Sequence, residues 1–442
     1  MDIKQLFQLY QEHPLITTDS RDCPEGSIFL ALKGASFNGN AFASTALEKG
    51  CAYAIIDEAA YATDDRCILV DDCLQTYKDL AREYRRQFHI PVIGITGTNG
   101  KTTTKELIAA VLSKKYNVLF TQGNFNNDVG VPKTLFRLQP EHEIAVIEMG
   151  ASHPGDIKTL VETAEPTCGL ITNVGRAHLQ GFGSFKNVIK TKGELYDYMG
   201  SRKEALLFIN ADNERLVNIL PETVWVAPYS ANPANSEGCV GGEVISCDPF
   251  LHFRWHESDI DLEDRGEEMK WYEVHSHLIG SYNIDNMLAA ITVGLNFGVA
   301  VQDIIDALEA YTPSNNRSQL EVTAHNRLIV DAYNANPTSM RLALENFRDM
   351  QADKKMVILG MMGELGNSSH KEHQKMVDLL QELAFDKVWL VGEGFAEIAH
   401  PFRQFKDVDE VKAAIQTQQP QGYTILIKGS NSTRLYQLPE VL

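Results

Sequence analysis

The run Gly94-Ile95-Thr96-Gly97-Thr98-Asn99-Gly100-Lys101-Thr102-Thr103-Thr104 joins an apolar stretch, Ile90 to Ile95, to a helical pattern that starts near Lys101. That arrangement suits phosphate. Glycines let backbone N–H groups converge on an anion, a helix start adds positive dipole, Lys101 supplies a full charge, and the Thr102 hydroxyl can take a Mg²⁺ position. Leu107, Ile108, Val111 and Leu112 fall on one face at helical spacing, which supports the helix. The usual nucleotide loop has a glycine five residues before its Gly-Lys pair; Ile95 stands there, and Gly97 gives the shorter G-x-x-G-K-T. Gly97, Thr98, Asn99, Gly100, Lys101, Thr102 and Thr103 are therefore expected to hold ATP.

Other candidates stand at the ends of apolar runs. In an open parallel sheet, ligands bind outside the carboxyl ends of strands, so Glu148 after Ala145–Ile147 and Asn173 after Gly169–Thr172 should face the nucleotide. An acidic Glu148 there could be a second Mg²⁺ contact or simply a helix cap. His178, alone in Asn173-Val174-Gly175-Arg176-Ala177-His178-Leu179, fits a structural role as well as a metal-binding one. Lys190-Thr191-Lys192-Gly193-Glu194 reads by itself as the exposed start of an amphipathic helix. Leu328–Val330 delivers Asp331 at a strand end; Asn336 is a plausible N-cap and Pro337 suits a first helical turn. Such a helix start can receive a carboxylate. Alternatively, Tyr333, Asn334 and Asn336 merely shape a turn.

Positioning these groups requires several domains. A chain of 442 residues exceeds one core. Residues 1–87 alternate strands (Ile28–Leu32, Ala52–Ile56, Ile68–Val70) with helical stretches such as Ala41–Glu48 and read as a small α/β domain. Residues 88–311 form a central α/β domain with the phosphate loop. Within it, Thr223–Leu278 is expected to be a hairpin-rich insertion whose charged tip, Glu257–Lys270, is solvated. Residues 312–442 repeat strand then helix, giving a doubly wound α/β domain without a glycine-rich dinucleotide turn. A formal charge of -19 argues against nucleic acid or an anionic membrane as a general partner. The 7 cysteines contain no C-x-x-C pair and read as reduced packing residues. With no signal-like start and no membrane-length apolar run, a cytoplasmic enzyme is expected.

Taken together, Gly97–Thr102, Gly123-Asn124-Phe125-Asn126-Asn127-Asp128-Val129-Gly130-Val131-Pro132, Glu148-Met149-Gly150-Ala151, Asp331-Ala332-Tyr333-Asn334-Ala335-Asn336-Pro337 and Gly363-Glu364-Leu365-Gly366 resemble the Mur ligase family. These are ATP-dependent amino-acid ligases of peptidoglycan precursor synthesis, and the resemblance covers nearly the whole chain. It implies an N-terminal domain for a UDP-sugar substrate, a central P-loop-type ATPase domain and a C-terminal Rossmann-like domain. The Asn-Ala-Asn-Pro segment is similar to the branch that joins D-alanyl-D-alanine to UDP-N-acetylmuramoyl-tripeptide through an acyl phosphate; the Asp-Asn-Pro-Arg signature of the diaminopimelate-adding branch is absent.

The same resemblance implies roles. Lys101 and Thr102 would hold ATP phosphates and Mg²⁺ with Glu148, while His178 and a carbamylated Lys192 would serve a second Mg²⁺. Asn286 would contact adenine, and Arg317 and Asp331 would reach the nucleotide when the domains close. Asn126 and Asn127 would face the muramoyl tripeptide. Tyr333, Asn334 and Asn336 would meet the dipeptide, and Thr18-Asp19-Ser20-Arg21 with Lys33-Gly34 would line the uridine diphosphate pocket. Asn38-Gly39-Asn40 departs from the frequent Asp-Gly-His, and Ala332 from a polar residue. A monomer is expected. Alternatives are another ligase of the family, including a folylpolyglutamate synthase-like enzyme, and a non-catalytic precursor-binding protein. A P-loop GTPase lacks support because no Asn-Lys-x-Asp sequence is present.

Overall fold

A computed structural model describes residues 1–313 and 317–442. Three main sheets follow one another along the chain. The first is parallel, in the spatial order Ile16–Thr17, Ile28–Leu30, Tyr53–Ile56, Cys67–Leu69. Helix Ile3–Glu12 packs on it through Leu6 and Tyr10 and starts with an Asp2/Gln5 capping box. Helix Cys73–Arg85, capped by Asp72, is the seam to the next unit. Its Arg85 guanidinium donates to the Ala164 carbonyl at 3.1 Å and its Tyr84 hydroxyl to the Leu138 carbonyl at 2.7 Å.

The central sheet has nine strands. From one edge they run Val118–Phe120, Ile144–Glu148, Val92–Thr96, Cys168–Ile171, Leu206–Asn210, Trp225–Ser230 and Val240–Cys247, all parallel, then Phe250–His256 and Tyr272–Ile279, antiparallel. The strand before the phosphate loop is thus internal, and its register pairs Ile95 with Glu148 and Thr96 with Ile171. Three carboxyl ends therefore open at one level. Helix Lys101–Leu112 is buried on most sides, because Ile284–Asn296 packs over it and joins it to the sheet's main apolar cluster.

The hairpins expected in Thr223–Leu278 are present, Val240–Cys247 with Phe250–His256 and the latter with Tyr272–Ile279, and residues 263–270 are exposed, but the segment is not an insertion apart from the sheet. Its strands extend the central sheet, and Phe253, Trp255, Val274 and Leu278 belong to that same apolar cluster, so inward alternation makes them core. The charged tip folds into helix Asp259–Arg265, which ends on Gly266 with a left-handed φ of 68°.

The third sheet has the order Gln319–Val322, Arg327–Asp331, Thr424–Lys428, Lys355–Gly360, Lys387–Val391, Arg403–Phe405, with only the first pairing antiparallel. Two apolar clusters cover its faces, one built on helices Pro337–Asp349 and Ser369–Leu383, the other on Val408–Thr417. This is the expected doubly wound arrangement. Among the described residues no helix is long and apolar enough to cross a membrane.

Candidate active site

A cleft of ≈ 1120 Å³ lies where the carboxyl ends of the central sheet meet loops of the third. Its floor is the phosphate loop. Gly97 and Gly100 adopt φ of 147° and 77°. A Cβ on Gly97 would meet the Thr172 hydroxyl at 2.0 Å, so the loop requires that glycine. The N–H groups of Gly100, Lys101, Thr102 and Thr103 donate to no described residue. They are the free donors of a helix start and form an anion seat. Thr98 and Asn99 line the cleft, and their N–H groups donate to the Asn173 carbonyl at 2.9 Å and the Asn173 side-chain oxygen at 3.0 Å, which braces the loop.

The Lys101 ammonium folds back onto the Gly97 and Thr98 carbonyls at 2.9 and 3.1 Å. Burial lowers its pKa, the Glu148 carboxylate opposes that shift, and Arg317 adds to it. Thr102 donates to Glu148 Oε1 at 3.1 Å, and the Asn126 amide donates to the same oxygen at 2.8 Å. The other oxygen, Glu148 Oε2, is buried with no hydrogen-bond partner. A buried carboxylate oxygen left unpaired beside a hydroxyl is costly without a ligand and suits a cation such as Mg²⁺.

His178 has a left-handed φ of 49°, and its Nδ1 faces the Glu364 carboxylate from the third unit. That close contact holds the Glu364 carboxyl below the usual range. A carboxylate on one ring nitrogen leaves Nε2 free, which is how metal-binding histidines are commonly oriented. Lys192, expected on an exposed face, is buried, with its Nζ 5.8 Å from the Phe182 ring centre. Burial, reinforced by the nearby Lys101 charge, pushes its pKa well below the ordinary lysine value, so the free amine is favoured. It does not line the cleft directly.

The Asn286 side chain accepts from the Thr104 hydroxyl at 2.9 Å and donates to Asn283 at 2.8 Å. It lines the cleft against Gly100. Asn127 caps the turn before helix Gly130–Leu135, accepting from Gly130 N–H at 2.8 Å, while its neighbour Asn126 is engaged by Glu148. Across the cleft, Arg317 stacks on Tyr333, 4.0 Å from the ring centre. Asp331 pairs with Lys428 at 2.5 Å, and Lys428 also donates to the Asn334 carbonyl at 3.4 Å.

Asn336 caps helix Pro337–Asp349 in a capping box with Ser339, and its amide donates to Asn99 in the phosphate loop at 2.7 Å. The expectation that this helix start seats a carboxylate is therefore restricted. Pro337 has no N–H and Asn336 takes that of Ser339, leaving Thr338 as the free donor of the first three residues. Arg176 N–H to the Thr338 hydroxyl (3.2 Å) and Gln180 N–H to the Glu364 carbonyl (3.1 Å) complete the contact between the units.

The expected uridine diphosphate residues are not brought to this cleft. Arg21 is bound to Asp19 and largely exposed, the Ser20 carbonyl accepts from Lys49, and Lys33 pairs with Asp57. None of Ser20, Arg21, Lys33 or Gly34 lines it, because the loops carrying them hydrogen-bond within their own unit. Sequence reasoning missed two lysines that do line it, Lys78 and Lys428. Lys428 carried a readable signal, a charge ending the apolar run Ile425-Leu426-Ile427. Lys78 carried none, since helix Cys73–Arg85 has charged residues all along its solvent side.

An anion seat, an adjacent cation position and an opposing polar loop on a second sheet define a nucleotide-dependent group-transfer enzyme assembled from separate α/β units. Residues 14–94 match "Mur ligase family, catalytic domain", residues 95–294 "Mur ligase middle domain" and residues 316–431 "Mur ligase, glutamate ligase domain". The chain belongs to the Mur ligase family. It is 34% identical to UDP-N-acetylmuramoyl-tripeptide--D-alanyl-D-alanine ligase of Escherichia coli (strain K12), covering 97% of this chain and 93% of that one. Its fold superposes on MurF from Acinetobacter baumannii with a TM-score of 0.87 at 30% identity, covering 99% and 97% of the two chains. MurF ligase from Thermotoga maritima in complex with ADP gives 0.85 at 26% identity, covering 97% and 96%.

Proposed function

We propose that this chain joins D-alanyl-D-alanine to UDP-N-acetylmuramoyl-tripeptide at the expense of ATP, yielding the UDP-linked pentapeptide, ADP and phosphate. The observation that carries this reading is the single cleft in which the free N–H groups of Gly100–Thr103 and the ammonium of Lys101 face the Asp331–Asn336 loop of another unit. It is joined by full-length likeness to ligases of that name.

A carboxylate is a poor electrophile, so its oxygen first attacks the γ-phosphorus of ATP; the bond to ADP breaks and an acyl phosphate forms. The dipeptide amine then attacks the acyl carbon, loses a proton, and phosphate leaves. Lys101 and the helix-start N–H groups would stabilise the charge that develops on the transferred phosphoryl group. Thr102 and Glu148 would hold one Mg²⁺, through the unpartnered Glu148 oxygen, and His178 with a carbamylated Lys192 would hold a second. Bound there, such ions neutralise phosphate charge.

Carbamylation needs a neutral lysine, since the Nζ lone pair bonds the carbon of CO₂ and a proton is released; burial of Lys192 supplies that amine. Asn286 would pack on the nucleotide base and Arg317 on its phosphates, with Tyr333 and Asn334 meeting the dipeptide. Asn126 and Asn127 line the cleft and would meet the tripeptide. The three units correspond to residues 1–87, 88–311 and 312–442, and the enzyme acts as a cytoplasmic monomer in the same reading.

The test is a substrate matrix. Di- and tripeptide UDP-muramoyl precursors are each offered D-alanyl-D-alanine, diaminopimelate or lysine with ATP, and ADP release and coupled product mass are followed. Product is expected only for tripeptide plus dipeptide. Turnover of another pair in its place would move the chain to a different branch of the family, and nucleotide-independent binding alone would make it a binding protein.

A further inference from the structure

Four lysines are buried among the described residues: Lys78, Lys105, Lys192 and Lys428. Lys105 donates to the Thr121 carbonyl at 2.8 Å, Lys428 is paired with Asp331, and Lys192 has its pKa lowered by burial. Lys78 is 9% exposed and makes neither a hydrogen bond nor an ion pair with any described residue. Its Nζ is not among the buried polar atoms that lack a partner, so the stem is packed while the ammonium opens into the cleft, free to meet a ligand. Its neighbour in helix Cys73–Arg85, Arg85, shows the alternative, donating to the Phe88 and Ala164 carbonyls.

Lys78 also has a singular position. Of residues 1–87 it alone lines the main cleft, whose lining also includes Asn124, Asn126, Asn127 and Asp128 of the central unit. The second cavity of the first unit, ≈ 290 Å³, is lined by Asp71, Asp72 and Asp79 and repels anions. Any anionic substrate that spans the first unit and the phosphate loop therefore meets one cation of the first unit at the seam.

Resting on the function proposed above, we infer that Lys78 is the seat for an anionic group, phosphate or carboxylate, of the acid substrate. The ammonium acts as a compact point charge that accommodates either group. It orients the precursor so that its terminal carboxylate reaches Lys101, and it is a binding residue rather than one that touches the reacting atoms.

The experiment compares the full chain with Lys78→Met and Lys78→Arg. Calorimetric titration with UDP-N-acetylmuramoyl-tripeptide, without ATP, should show affinity falling at least tenfold in Lys78→Met and largely restored in Lys78→Arg. In steady state the loss should fall on KM for the precursor more than on kcat, with KM for ATP unmoved. Lys78→Met should melt at the same temperature as the parent or higher, because no native partner is lost; a lower melting temperature with unchanged precursor affinity would make Lys78 a structural residue and overturn the proposal.

Two truncated ligands separate the sources of the anion. Lost affinity for UDP, which carries no carboxylate, assigns Lys78 to the diphosphate, and lost affinity for muramoyl-tripeptide lacking UDP assigns it to a peptide carboxylate. If the parent ligates normally and Lys78→Met binds every ligand equally well, this inference fails while the function stands. If the parent neither binds nor ligates the precursor, both fail.

Discussion

The two walls of the cleft solve the same problem in opposite ways. On the central wall, polar groups are left wanting: four helix-start N–H groups have no acceptor, Glu148 Oε2 has no donor, and Lys101 folds onto its own loop carbonyls. On the opposing wall they satisfy one another, with Asp331 on Lys428, Asn334 on Lys428 and its neighbour's N–H, and Asn336 on Ser339 and Asn99. Unsatisfied buried groups cost free energy that a ligand can recover, so the central wall is built to bind charge. The opposing wall is built to hold a shape, and its ligand must be selected by fit and by few exchangeable hydrogen bonds.

Substitutions should divide accordingly, the central wall losing activity with little loss of stability and the opposing wall losing both. The largest effect is expected for Lys101→Ala, which removes a preorganised charge: ligation should fall on the order of a hundredfold or more. The melting temperature should hold, because that ammonium bonds only its own loop. Turnover near that of the parent would remove Lys101 from phosphoryl transfer.

Lys192 sharpens the same wall. Lys192→Ala should be inactive and partly rescued by short carboxylic acids that occupy the vacated anionic position. Stability adds an independent readout. The folded pKa of Lys192 lies below its unfolded value, so as pH falls the unfolded chain takes up a proton that the fold resists, and stability is lost. Lys192→Met in CO₂-free buffer should therefore be more stable than the parent by on the order of 1–3 kcal/mol near neutral pH. The gain should fade as pH rises towards the ordinary lysine value of 10.5. Thermal melts across pH decide it; a gain that grows with pH would show the sign to be wrong.

The opposing wall should respond through the fold. Lys428→Met strands the Asp331 carboxylate and should cost about 3 kcal/mol, while Lys428→Met with Asp331→Leu should recover most of that loss. Denaturant unfolding of the two variants checks it. Asn336→Ala removes a cap worth about 1 kcal/mol and the link to Asn99. Its KM for the dipeptide should rise more than its KM for ATP; the reverse would place Asn336 on the nucleotide side.

The central wall was legible because its chemistry is local: strand, glycine loop and helix are contiguous in sequence, and Lys101 and Thr102 sit at fixed offsets from Gly100. Strand-end logic found Glu148, Asn173 and Asp331 for the same reason. Failures came where long-range packing decides. Lys192 looked exposed because nothing local reveals that helix Phe185–Gly200 packs it beneath the cleft. Thr223–Leu278 looked like an insertion because its short strands alternate, although their apolar face continues the central core.

The smallest expected effect tests the region furthest from either wall. Arg21 is 88% exposed and bonds Asp19 two residues away, an arrangement that any surface turn can make. Such exposed, solvent-screened pairs contribute little to stability, and here neither partner borders the cleft. Arg21→Ala should therefore leave the melting temperature within about 1 °C of the parent, as a near-zero free-energy change requires. Calorimetric affinity for UDP-N-acetylmuramoyl-tripeptide should stay within twofold. Retained affinity there, beside a tenfold loss in Lys78→Met, would locate precursor recognition at the seam rather than on the Thr18–Arg21 turn. A tenfold loss in Arg21→Ala would instead mean that the first unit turns that surface towards the substrate when it binds, and the uridine diphosphate pocket implied by the family resemblance would lie there after all.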